Sequence, residues 1–342
     1  MPTDYAIKDG RTVFDATTYT GNGSTQTVTN AGGFKPDFVW IKSRNGSWAH
    51  CLFDTIRGAT NFLQTNNTNA EGTSATTLTS FNSNGFTTGG DVGTGGAYTY
   101  VGWQWQAGQG TTSSNTNGSV TSTVSVNPTA GFSIVTYTGT GASGTVGHGL
   151  GVAPKMVIVK ARNQADSWIV YHAGNPNPAT NTLILNSTGA VQTSSLNWNS
   201  TAPTSSVFSV YNPGSGGYTS GNGYTYVAYC WAEVAGFSKF GSFAGNASTD
   251  NAFLYCGFRP RFLLMKRTDT ADKWIIWDSS RNPYNFVANE IYPNAVDAEG
   301  VASSTYSLDF LSNGVKIRNA GITGTWIYAA FAENPFKYAN AR

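Results

Sequence analysis

The 342-residue sequence carries little charge: Asp, Glu, Lys and Arg make up 11% of it and leave a net charge of +2. Ordinary soluble proteins carry about 25% charged residues. So weak a field excludes strong electrostatic capture of nucleic acid or of an anionic membrane surface. Solubility must come from Asn, Ser, Thr and Gly, which suits an extended β surface in a large assembly better than a free cytosolic enzyme. Cysteine is scarce too. Cys51, Cys230 and Cys256 are widely spaced and form no C-x-x-C, so a zinc or redox site is poorly supported. Cys230 and Cys256 are expected to be buried apolar fillers. No apolar run approaches the roughly 20 residues that span a bilayer. The opening MPTDYAIKDGR lacks the basic and apolar regions of a signal peptide. Membrane insertion is therefore not expected, and assembly in a cytoplasm is. P-loop, G-x-S-x-G and H-E-x-x-H motifs are also missing.

What the sequence does have is recurrence. GFKPDFVWIKSR (Gly33–Arg44), LGVAPKMVIVKAR (Leu150–Arg162) and GFRPRFLLMKR (Gly257–Arg267) each place a lysine six residues after a proline, at Pro36/Lys42, Pro154/Lys160 and Pro260/Lys266. An aromatic, Thr/Gly-containing segment precedes each: FDATTYTGNGS, FSIVTYTGTGAS and FSKFGSFAGNAS. Trp48, Trp168 and Trp274 follow the lysines by six, eight and eight residues. TYVGWQW, TYVAYCWAE and TWIYAAFAE close the three stretches.

The expected fold is all-β: three tandem β-sandwich, jelly-roll-like repeats of about 95–105 residues, each with its own core. The Pro/Lys stretches are short, β-branched and aromatic, and nearly continuously apolar, as strands covered on both faces are. Asn84-Gly85 and Asn313-Gly314 are hairpin-turn signals. DTIRGATNFLQTN is expected to be an irregular crossover. The boundaries place an N-terminal arm at 1–13, repeats at 14–106, 132–235 and 236–342, and a linker at 107–131. The linker has no aromatic residue and little to bury, apart from an alternating SVTSTVSV that reads as a lone edge strand. The arm lies outside the repeated plan and is the candidate docking segment.

Candidates for chemistry are few. Glu233 and Glu333 hold matching places after the last strands. A glycosidase pair must flank one sugar bond, and these two come from different repeats. Asp54/Arg57 and Asp278/Arg281 share D-x-x-R spacing, which suits a bidentate pair that pins a loop; the second repeat has YHAGNP there. His50, His148 and His172 would have to converge to hold a metal. Three recurring lysines imply a structural job, with stems laid on apolar surface and ammonium groups wet. Trp48, Trp168 and Trp274, with Trp103, Trp105 and Trp231, could stack on sugars, but their regular placement reads first as core. Glycine-rich GGDVGTGG (Gly89–Gly96) reads as a flexible hairpin loop. Loops carry recognition because the scaffold does not depend on their sequence, which makes Tyr211, Tyr218 and Tyr284 the candidate recognition surface. No catalytic residue, metal or cofactor is expected.

GFKPDFVWIKSR, VTYTGTG with VGHGLGVAPKMVIVK, DFLSNGVKI and IYAAFAENPF together resemble a repeat of virion structural proteins of tailed phages, especially marine ones. The likeness runs from Phe14 to Phe336. It implies a tail fibre or receptor-binding component in the virion, homotrimeric, contacting other virion proteins and a host-surface glycan or protein. A head decoration or tail-collar protein is the alternative it leaves open. A polysaccharide-degrading fibre enzyme is a third, disfavoured by the low carboxylate count.

Overall fold

The computed structural model describes residues 4–193, 196–212, 219–301 and 307–335. The described residues form strands and turns, with one short 3-10 turn at Gly10–Thr12. The protein is all-β, built from several antiparallel sheets.

Three large sheets share one strand order. In the first, strand Phe14–Thr20 lies beside Thr99–Trp105, then Phe38–Ser43, then Cys51–Asp54. The second runs Phe132–Thr138, Thr225–Trp231, Met156–Ala161, Ile169–His172. The third runs Ser238–Asn246, Thr323–Pro335, Phe258–Arg267, Trp274–Asp278. Register recurs as well. Phe38 faces Trp105 and Asp54, Met156 faces Trp231 and His172, and Phe262 faces Phe331 and Asp278.

Side chains along a strand alternate between faces, and the lysine-bearing strands use both. Phe38 and Trp40 enter a central core, while Val39 and Ile41 enter an outer one. Met156 and Ile158 are central, and Val157 and Val159 outer. That double burial is why these stretches read as unbroken apolar runs. Each outer core is the filling of a β-sandwich. In the first section Val28, Leu78 and Phe86 of a small sheet meet Val39, Ile41 and Phe53 of the large one. Full burial of one such side chain stabilises by about 1.5–3 kcal/mol.

Both Asn-Gly turns close hairpins of these small sheets, Leu78–Asn82 with Gly85–Thr88 and Leu308–Leu311 with Gly314–Ile317. Glycine is required there by a neighbouring strand: a Cβ on Gly85 would lie 2.0 Å from the Val28 carbonyl oxygen, and one on Gly314 2.0 Å from that of Leu254.

Several expectations need correction. The three sections do not each keep a wholly separate core. Phe14, Phe38 and Trp105 of the first, Phe132 and Trp231 of the second, and Phe262 and Phe331 of the third meet in the central core. Ring centroids of Trp105 lie 6.1 Å from Trp231 and 5.6 Å from Phe331. The stretch 107–131 is no loose spacer. Its strand Ser122–Asn127 pairs with Phe132–Tyr137, and Ser113–Asn115 lies outside it, so SVTSTVSV is not the edge. The buried Asp37 carboxylate anchors its start, accepting from the N–H groups of Ala107, Gln109 and Gly110 at 2.7, 2.7 and 2.6 Å and from the Thr55 hydroxyl at 2.9 Å. Of the arm, residues 4–13 pack on the third section: Ile7 is in the central core, and a Cβ on Gly10 would meet the Ala332 carbonyl oxygen at 2.1 Å. After Asp54 the supposed irregular crossover makes a turn and then a strand, Asn61–Gln64.

Candidate functional site

Some of the scarce charge joins the sections. Asp54 accepts from the Arg57 backbone N–H at 2.9 Å and from its Nε at 2.5 Å, and Arg57 also donates to the Leu52 carbonyl. Asp278 and Arg281 repeat this at 2.9 and 2.6 Å. The pairs pin their own turns, and they also reach outward. The Tyr229 hydroxyl donates to Asp54 at 2.8 Å, and the Trp103 indole N–H to Asp278 at 3.0 Å. Glu71 bridges Arg57 and Arg162, while Glu299 bridges Arg281 and Arg44. In the second section His172 takes the place of the aspartate. Its Nδ1 accepts from Gly174 N–H at 3.0 Å, so the proton sits on Nε2, which donates to the Tyr328 carbonyl at 3.1 Å. First section thus meets second, second meets third, and third meets first.

The histidines do not come together. His50 Nδ1 accepts from the Trp40 indole at 2.9 Å, and His148 Nδ1 from Leu150 N–H at 3.2 Å. Burial lowers the pKa of all three, that of His172 to about 4. Among the described residues no cluster of His, Cys, Asp or Glu is arranged to hold a metal. The cysteines are free and buried, and burial pushes the Cys51 and Cys256 thiols up to about 12.

The lysines correct the expectation of wet ammonium groups. Lys42, Lys160 and Lys266 are fully buried. Lys42 donates to the carbonyls of Ser43 and Gly46, Lys160 to Ala161 and Gln164, and Lys266 to Thr188 and Asp272. Burial lowers each to about 8. Each ammonium group is thus held by main-chain oxygens rather than by water.

Glu233 and Glu333 line different cavities. Glu233 is bound by Lys239 at 2.7 Å, and Glu333 pairs with Arg259. The cavity of Glu333 is an open cleft of about 430 Å³ between the first and third sections. Its charged groups neutralise one another, with Arg261 Nε 2.7 Å from Asp15. Pro283 lines this cleft, and its neighbour Tyr284 is 72% exposed. Tyr211 is half-buried and its backbone is tied to the Thr219 hydroxyl at 3.0 and 3.2 Å. Tyr218 lies outside the described residues.

The expectation that Trp48 is core, like Trp168 and Trp274, is corrected by its exposure. The residues packed in matching places are His50, Trp168 and Trp274, four positions before Asp54, His172 and Asp278. Trp48 is displaced from that place and reaches the surface. Nine of the ten tryptophans are buried; Trp48 is 37% exposed. Its shorter spacing from the lysine, six residues instead of eight, is the signal in the sequence. The indole edge lies over Gly46, where a Cβ would stand 2.7 Å from Cδ1, and its ring meets Tyr98 edge-on at 6.0 Å. Trp48 borders a cavity of about 250 Å³ with Phe62, Gln64, Ser74 and Asp91. The glycine-rich loop that carries Asp91 is tightly wound: the Asp91 carbonyl accepts from Thr94, Gly95 and Gly96 N–H at 3.0, 2.7 and 2.8 Å. Its carboxylate accepts from Gly93 N–H at 2.8 Å. No lysine or arginine borders the cavity.

Residues 9–335 match a family described as a domain of unknown function, DUF7483. No curated protein matches the chain.

Proposed function

The chain belongs to the DUF7483 family, and we propose that it is a virion structural protein of a tailed phage, a tail fibre or receptor-binding component that contacts the host surface. The observation that carries this reading is the contrast between charged side chains bound to one another inside the scaffold and the exposed indole that walls the Trp48 cavity. The Asp-Arg pairs and the histidines are bound internally, whereas Trp48 stands half out of the surface beside Asp91. The shared strand order and register of the three large sheets support one module used three times. We propose other virion proteins and a host-surface glycan or protein as partners, and a homotrimer as the assembly. No catalytic role is proposed.

Gold-labelled antibody on intact particles tests the location. Label at the tail is the expected result, and label spread over the capsid would move the assignment to a head decoration protein. Purified protein at saturating dose should block host adsorption; unchanged adsorption would count against the receptor-binding role.

A further inference from the structure

We infer that the Trp48 cavity is a binding site for one ring of an uncharged saccharide. This deepens the host-contact reading and takes its biological sense from it. A sugar ring offers an apolar C–H face and a rim of hydroxyls. The cavity offers an aromatic wall, Trp48 and Phe62, and polar groups of both kinds: the Asp91 carboxylate accepts, the Gln64 amide and Ser74 hydroxyl do either. Ligand cavities of about 300–1,000 Å³ hold drug-sized molecules, so about 250 Å³ suits a single ring with the rest of a chain outside. A lone carboxylate with no cation beside it opposes phosphates, uronic acids and sialic acids. An aromatic wall beside a carboxylate also suits a cation, but the Gln64 amide and Ser74 hydroxyl give a sugar's hydroxyls partners that a quaternary ammonium cannot use. The indole is held in place by Gly46 beneath it and Tyr98 at its edge, so little order is lost on binding.

The test is a titration of the purified full chain with the methyl glycosides of glucose, galactose, mannose and N-acetylglucosamine, read by calorimetry in wild type and variants and, in the wild type, also by tryptophan emission and acrylamide quenching. One exposed indole among nine buried ones makes quenching report on Trp48. The expected result is a saturable emission change, with protection from quencher, for at least one of these sugars. Trp48→Ala should abolish the heat of binding. Asp91→Asn should weaken the affinity by about tenfold, the factor given by 1.4 kcal/mol. Trp48→Phe keeps a ring in place and should retain part of the affinity, which separates lost stacking from misfolding. No saturable response to any neutral sugar overturns the inference. So does an equal response in folded Trp48→Ala, or tighter binding of glucuronate or tetramethylammonium. Particle labelling is scored separately: incorporation without sugar binding sinks only this inference, and sugar binding without incorporation sinks only the virion reading.

Discussion

His172 shows how one residue is read differently from sequence and from structure. In the chain YHAGNP looks like a lost D-x-x-R. In the fold His172 accepts from the backbone N–H two residues on, as Asp54 and Asp278 do from Ile56 and Ser280. It does so as a neutral ring, and burial holds its pKa at about 4. An unfolded histidine titrates near 6.5. Between those values the unfolded chain binds a proton that the folded chain refuses, so stability falls as pH drops from about 6.5 to about 4 and then levels off for this group. The loss amounts to at most about 3 kcal/mol. His172→Asn keeps an acceptor and a donor without the proton affinity. Urea unfolding from pH 7 to pH 4 should therefore show a shallower decline in the variant. Parallel wild-type and variant profiles would contradict the assignment. The lysines run on the same principle at the other end. With folded values of about 8 against about 10.4 unfolded, their contribution to stability rises between those pH values. Buried tyrosines such as Tyr19 and Tyr137, whose pKa burial raises, oppose it higher up.

At the scale of elements, the strands were legible and the connections were not. Unbroken apolar, β-branched and aromatic composition marks Phe38–Ser43 and Met156–Ala161, because both faces of these strands are buried along their whole length. The stretch 107–131 misled because its composition, rich in Gly, Ser, Thr and Asn, says nothing of a partner placed far away. Asp37, seventy residues before Ala107, supplies that partner. Asp37→Ala would leave the buried N–H of Ala107 unpaired, at a cost of about 1–3 kcal/mol, and release the N–H groups of the exposed Gln109 and Gly110 to water. The expected result is a loss of about 1–3 kcal/mol in urea unfolding, with faster amide exchange concentrated in residues 107–115. Uniform exchange along the chain would show that Asp37 does not anchor this segment. Trp48 was misplaced for a related reason. A two-residue change in spacing moves no side chain to the opposite strand face, yet it carried this indole out of the packed position that His50 fills.

For the whole molecule, the recurrence in the sequence points to three autonomous sandwiches in a row, and the structure joins them more tightly than that. The first and second sections each keep an outer core of their own, the third's runs on into the central core, and the inner faces of all three large sheets meet around Trp105, Trp231 and Phe331. A section taken alone would expose Phe14, Phe38 and Trp105 to water. At about 25 cal/mol per Å² of apolar area, that exposure opposes the stability its own outer core provides. The bridges at Glu71 and Glu299 close the ring at two of the three contacts, and a buried ion pair that loses one partner costs about 3–5 kcal/mol. The whole chain should therefore unfold in one cooperative step. Calorimetry should give a single endotherm whose van't Hoff and calorimetric enthalpies agree. Arg57→Ala, at the contact of first and second sections, should lower the midpoint of that one endotherm without splitting it. Three resolved endotherms in the wild type, or one section melting alone in Arg57→Ala, would show that the shared core holds neighbours together too weakly to couple them.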